Sequence, residues 1–371
     1  MRSPKNALPL ALAVALLALA GLPTSAAAPP AAAPSPGFFG IVPQHVPSEA
    51  EAEYMRAGRI GSVRWPMAWG SLEPFPDGRY IWDDFDEIVE AAAKQRLRVL
   101  PFVYATPSWL SRKYTRLPVQ NARQRSAWAA FLKAAVERYG PRGQFWLEHS
   151  PESGDYVPKV PVRDWQVWNE ANFFYFATPA SPTRYARLLK LSYRTIKRAD
   201  PGANVILSGL FGEPGAKPPQ GMHAVDFLRR LYAVPGIERS FDGVALHPYA
   251  EDAATLAAMT EGMRDVILDN HDGSAQLYMT EMGWGSQNNP NLVSFEQGVK
   301  FQIQEMKLAY RYLIGNRHRL NLKGTYWFTW KDMADSCNFC DSTGLFRRGA
   351  GLKAKPAWHA FVDLTGGRPR P

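Results

Sequence analysis

Residues 164–209 read DWQVWNEANFFYFATPASPTRYARLLKLSYRTIKRADPGANVILSG, and this stretch decides the fold. Asp164 to Trp168 suit a buried strand, and Asn169-Glu170 close the run with an amide and a carboxylate. Ser181 is a helix N-cap with Pro182 at the first helical position. Tyr185, Leu188, Leu189, Tyr193 and Ile196 then recur at helical spacing, with Ser192 a polar miss, until Asp200-Pro201-Gly202 stops the helix. Asn204 to Gly209, NVILSG, is the next strand. Strand, helix and strand joined this way imply a parallel pair with a right-handed crossover.

The same alternation extends in both directions. Strand-like runs occupy 38–43, 61–65, 98–104, 243–247, 276–280 and 323–330, with helical spacing over about 82–95, 124–139, 223–233, 253–270, 294–314 and 356–363. Eight strands alternating with helices predict an α/β fold, a single-domain (β/α)8 TIM barrel over residues 37–371. An open doubly wound sheet lacks its usual support, since no glycine-rich phosphate loop follows the first strand. Long Pro/Gly-rich or charged loops at 106–124, 140–160 and 210–222 decorate the rims.

At the N-terminus, Arg2 and Lys5 precede an apolar stretch from Ala7 to Leu22 and a small-residue tract, the layout of a signal peptide over residues 1–27. Residues 28–36 form a Pro/Ala-rich leader. The apolar stretch is too short and too interrupted for a membrane span, so the expectation is a secreted, extracellular monomer, with a retained N-terminal anchor as the alternative. Loss of Arg2 and Lys5 takes the formal charge from +9 to +7. The basic residues are dispersed, and no nucleic-acid module is present. Cys337 and Cys340 in DSCNFCDSTG are too few for a structural zinc site; they are read as a small disulfide, with free thiols as the alternative.

In a barrel, chemistry sits at the C-terminal strand ends. Strand four ends in Asn169-Glu170, and strand seven, QLYMT, is followed by Glu281. Three β/α units of roughly 31 residues, with an insertion near 213–221, separate the two glutamates, so both can face one mouth. Two carboxylates across one cavity suit glycosidic bond cleavage: one protonates the departing oxygen and the other attacks the sugar. Environment must then part their acidities.

TrpAsnGlu after strand four and ThrGluMetGlyTrp after strand seven resemble the signatures of the retaining glycoside hydrolases of clan A, closest to families 39 and 5. The likeness spans about 38–364. It implies that Glu170 is the general acid/base, Glu281 the nucleophile, and Asn169 a hydrogen-bond partner of the hydroxyl beside the reacting carbon. It also implies that Arg64, in SVRW, supports the nucleophile, and that His247 and Tyr249, in ALHPY, stand near it. Trp327 is expected to floor the sugar subsite rather than Trp330, which alternation places on the opposite strand face. Trp109, Trp284 and Trp69 are candidate stacking platforms. Ala171 and Met282 depart from the family pattern, where Pro and an aromatic are frequent.

The implied substrate is a carbohydrate, with no cofactor or metal. A non-catalytic glycan-binding barrel predicts loss of one carboxylate, whereas both are present; a transglycosylase would use the same pair. A metallo-hydrolase wants several His and Asp at strand ends, and of seven histidines only His247 sits at one. No G-x-S-x-G elbow supports a serine esterase.

Overall fold

The computed structural model describes residues 34–288, 295–334 and 340–371. Eight strands form a closed, all-parallel barrel in sequence order: β1 (Phe39–Val42), β2 (Ser62–Ala68), β3 (Arg98–Tyr104), β4 (Asp164–Val167), β5 (Asn204–Phe211), β6 (Gly243–His247), β7 (Gln276–Met282) and β8 (Leu322–Phe328). Closure is direct, because Phe39 to Val42 of β1 pair in register with Thr325 to Phe328 of β8. A parallel ladder needs crossovers, and the helices between strands supply them.

The expected helices are present as Asp83–Lys94, Ala122–Tyr139, Pro182–Ala199, Ala224–Tyr232, Ala253–Asp269, Gly298–Asn316 and Pro356–Thr365. Ser181 caps its helix, its side chain accepting from the Arg184 amide. Three further α-helices lie outside the expected segments, among them a single turn at Trp69–Leu72 after β2. Glu49–Ala57 buries only Glu51, Ala52 and Met55, too few apolar groups for a periodic signal, and is announced instead by the Ser48/Glu51 capping box. Gln144–Glu148 interrupts the loop expected over 140–160.

Strand alternation divides the apolar side chains between two cores. The larger lies between barrel and helices. The smaller fills the barrel interior with Val42, Leu100, Ile206, Ala245, Tyr278 and Tyr326. Glycine makes room there for the tyrosines: a Cβ at Gly40 would lie 2.2 Å from the Tyr326 ring. The Tyr326 hydroxyl pairs with Ser62 at 2.9 Å, so the filler carries its own polar partner. No described helix is long and apolar enough to cross a membrane.

Candidate active site

Strict alternation would send consecutive residues to opposite faces, yet Asn169 and Glu170 both turn into the mouth. The cause is local. Trp168 (φ 73°) and Glu170 (φ 37°) adopt the left-handed region, which costs side-chain-bearing residues roughly 1–3 kcal/mol each. Burial of the Trp168 indole, whose Nε1 donates to the Phe176 carbonyl at 2.7 Å, holds that geometry. A Glu170 amide bond to the Gly209 carbonyl ties the turn to β5.

A different irregularity aims Glu281. Along β7, Met279 pairs with Thr325 but Met282 with Trp327, so three steps on one strand match two on the other. The extra residue is a bulge, and it lets Thr280 and Glu281 both face inward. A carboxylate oxygen of Glu170, one of Glu281 and a ring nitrogen of His247 consequently lie within 4.8 Å of one another.

Arg64, fully buried on β2, organises this cavity. It donates from Nη1 to Glu281 Oε1 at 2.6 Å, from Nη2 to Asn169 Oδ1 at 2.6 Å and from Nε to Gln166 Oε1 at 2.7 Å. Its guanidinium lies 4.0 Å from the centre of the Phe102 ring. Removing one member of such a pair costs about 3–5 kcal/mol, because the other charge stays buried. Glu281 Oε2 also accepts from the Tyr249 hydroxyl at 2.8 Å.

The donor pattern favours one position for the His247 proton. With Oε1 of Gln166 committed to Arg64, its Nε2 donates to the Leu207 carbonyl and to Thr280 Oγ1. The Thr280 hydroxyl therefore has its single proton left for His247 Nε2, 3.0 Å away. With Nε2 as the acceptor, the neutral ring carries its hydrogen on Nδ1, placed to donate to Glu170 Oε1 at 2.9 Å. Gly209 makes this possible, since a Cβ there would lie 1.9 Å from Nε2.

Burial, then the charge of Glu281, push the Glu170 carboxyl well above its ordinary range, against the pull of Arg64. Burial and Arg64 hold His247 well below its usual value, which keeps the ring neutral. Burial and Glu281 raise Tyr249, so its hydroxyl stays a donor. Another buried carboxylate, Glu51, shows the contrast. Despite burial it is held far below its ordinary value by His45, Lys331 and the Ser48 amide, and it caps its helix beside a separate cavity lined by His45 and Lys331.

Glu170, Glu281, Asn169, Arg64, His247 and Tyr249 thus converge. The tryptophans do not. Trp327 is fully buried with its indole nitrogen donating to Thr343, Trp284 donates to the Ala250 carbonyl, and Trp330 donates to Glu51. Trp69 is also fully buried, and none of the four presents a face to solvent. Both Trp327 and Trp330 lie in the outer core, contrary to the opposite-face expectation, and the aromatic that β8 turns toward Tyr249 is Phe328. Trp109 is partly exposed, its indole nitrogen donating to the Glu73 carbonyl. Residues 1–33 and Cys337, with the side chain of Cys340, lie outside what is described, so the leader and the disulfide do as well. Gln166, Thr280 and Gly209 were not singled out from sequence; the polar Gln166 inside an otherwise apolar strand was the available signal.

Among the described residues, Glu170, His247 and Glu281 form the one group with spacing that could hold a cation. A cation there would face the Arg64 guanidinium and compete with the Nδ1 hydrogen and the Tyr249 hydroxyl, so the donor set is already satisfied by protons.

No protein-family model matches the chain, and no curated protein matches it in sequence. Solved structures do. A family 39 glycoside hydrolase from the gut symbiont Bacteroides cellulosilyticus WH2 superposes with a TM-score of 0.63 at 20% identity, covering 89% of this chain and 64% of that one. A GH39 β-xylosidase from Caulobacter crescentus gives 0.62 at 18% identity, over 90% and 72%. Xylanase 10B from Thermotoga maritima gives 0.59 at 16% identity, over 90% and 96%. What the chain shares with them is the (β/α)8 barrel. It spans less than two thirds of the length of the Bacteroides protein.

Proposed function

We propose that this protein is a retaining glycoside hydrolase with Glu281 as nucleophile and Glu170 as acid/base. The observation that carries the reading is the approach of the two carboxylates, with oxygens within 4.8 Å. Retaining enzymes hold their carboxyls about 5–5.5 Å apart, whereas inverting ones keep about 6.5–9.5 Å to admit a water. The glycoside hydrolase neighbours support the same reading.

In this mechanism Glu170 protonates the glycosidic oxygen while Glu281 attacks the anomeric carbon, and the C–O bond to the leaving group breaks. Glu170 then takes a proton from water, which displaces Glu281 from the sugar. His247 Nδ1–H occupies Glu170 Oε1, so the transferred proton resides on Oε2. Asn169, with Oδ1 bound to Arg64, has Nδ2 left to donate to the sugar hydroxyl beside the reacting carbon. The N-terminal stretch Ala7–Leu22 behind Arg2 and Lys5 supports export of the chain.

The test is trapping with a 2-deoxy-2-fluoro glycoside, whose second step is slow. Peptide mass analysis is expected to find the sugar on Glu281; a label on any other side chain overturns the assignment.

A further inference from the structure

Immediately after Glu170 the chain reads ANFFYF, residues 171–176, four aromatics that no part of the catalytic centre uses. We propose that Phe173, Phe174 and Tyr175 are a binding track for the leaving-group half of a glycan, so that the preferred substrate carries at least one further sugar ring beyond the scissile oxygen. The proposal rests on the hydrolase reading above and adds to it the side and the kind of ligand.

Placement is the first argument. Glu170 protonates the departing oxygen, and the track begins three residues later on the same turn, so it borders the leaving group rather than the sugar bound to Glu281. The rings connect without a gap. Tyr249, which holds Glu281, lies 5.9 Å from Phe211; Phe211 stacks on Phe173 at 5.3 Å and 19°; Phe173 meets Tyr175 edge-on at 4.9 Å; and Phe174 stacks on Tyr175 at 4.4 Å and 26°.

Exposure rises along this path. Tyr249 is buried, Phe173 and Phe211 are partly open, and Phe174 and Tyr175 are 38% and 59% exposed. Tyr114, itself exposed, donates its hydroxyl to the Tyr175 carbonyl at 3.5 Å. Apolar surface left open beside a polar cavity marks a place where a ligand completes the burial. Pyranose rings fit that need: their C–H faces are apolar and their hydroxyl rims stay wet, so a flat aromatic can cover one face without stripping the rim.

Rigidity is the second argument. Asn172 is fully buried, and its side chain donates to the Phe211 and Met222 carbonyls at 2.7 Å each while accepting from the Phe211 amide at 2.9 Å. Phe173 also bridges to Gly221, and the Phe176 carbonyl is held by Trp168. The platform is formed before any ligand arrives, so binding spends little on ordering it.

The experiment compares the full chain with Phe174→Ala/Tyr175→Ala, and with Phe173→Leu as a milder variant. Substrates are cello-, manno- and xylo-oligosaccharides of increasing length, and the aryl glycosides of the same sugars. In the parent protein kcat/KM is expected to climb as rings are added on the leaving-group side. The double variant is expected to lose roughly two- to tenfold of that climb per aromatic removed, chiefly through KM, with a smaller change on the aryl glycoside. An undiminished climb overturns the track, as does an equal loss on both substrate kinds, and either leaves the hydrolase reading standing. If the parent protein cleaves neither kind, the hydrolase reading itself fails and the track falls with it.

Discussion

Glu170 and Glu281 leave the barrel from β4 and β7, yet a carboxylate oxygen of one lies within 4.8 Å of an oxygen of the other. Neither would be there if its strand simply ended. A left-handed backbone at Trp168 turns one in, and a bulge between Met279 and Met282 turns the other. The irregularities also couple them electrically, and the coupling has a measurable sign.

Glu281→Gln removes a negative charge beside Glu170. That charge raises the Glu170 pKa by disfavouring a second anion, so its loss lets Glu170 ionise at lower pH. Arg64, released from its ion pair, attracts the Glu170 anion and acts in the same direction. Burial, the largest cause, is unchanged, so the value is expected to fall while staying above the ordinary 4.5. Carbon-13 NMR titration of the side-chain carboxyl reads this without turnover. A rise, or no movement, contradicts the coupling.

Stability carries the same signature. The folded-state pKa of Glu170 is raised above its unfolded value, so its contribution is full below about pH 4.5 and is lost as pH rises through the folded value. Glu170→Gln keeps the shape and carries no charge at any pH. The variant's Tm relative to the parent is therefore expected to improve steadily from acid to neutral pH, while activity on poor leaving groups drops about 10²–10⁴-fold. A Tm difference that ignores pH would mean that Glu170 is not a burdened acid.

Those irregularities also mark the limit of what the sequence discloses. Eight strands and their connecting helices are legible because β2 to β8 bury long apolar runs and the helices repeat at 3.6. Glu170 and Glu281 are legible because a carboxylate ending an apolar strand needs a reason. Strand eight misleads, because period-two reasoning assumes a regular strand to its end. Trp327 and Trp330 both pack outward and Phe328 takes the mouth, a consequence of chain path beyond the ladder rather than of residue type. The helix Glu49–Ala57 escapes notice for the opposite reason: little of it is apolar, and only its cap speaks.

Thr280→Val tests the proton arrangement at its weakest joint. The valine keeps the shape of the side chain and removes the one hydrogen that His247 Nε2 accepts. In the parent protein, nitrogen-15 NMR is expected to show His247 protonated at Nδ1 and bare at Nε2, its signal identified by its absence in His247→Asn. Without the Thr280 hydroxyl nothing fixes that choice. A ring protonated at Nε2 turns a bare Nδ1 toward Glu170 Oε1, where it can capture the acid's proton and withhold it from the leaving group. Cleavage of poor leaving groups is then expected to slow by about two- to tenfold, the scale of one hydrogen bond, while activated aryl glycosides, which need little protonation, change less. A parent ring already protonated at Nε2 would refute the arrangement whatever the rates do, because Thr280 would then accept from both Gln166 and His247 instead of donating to the ring.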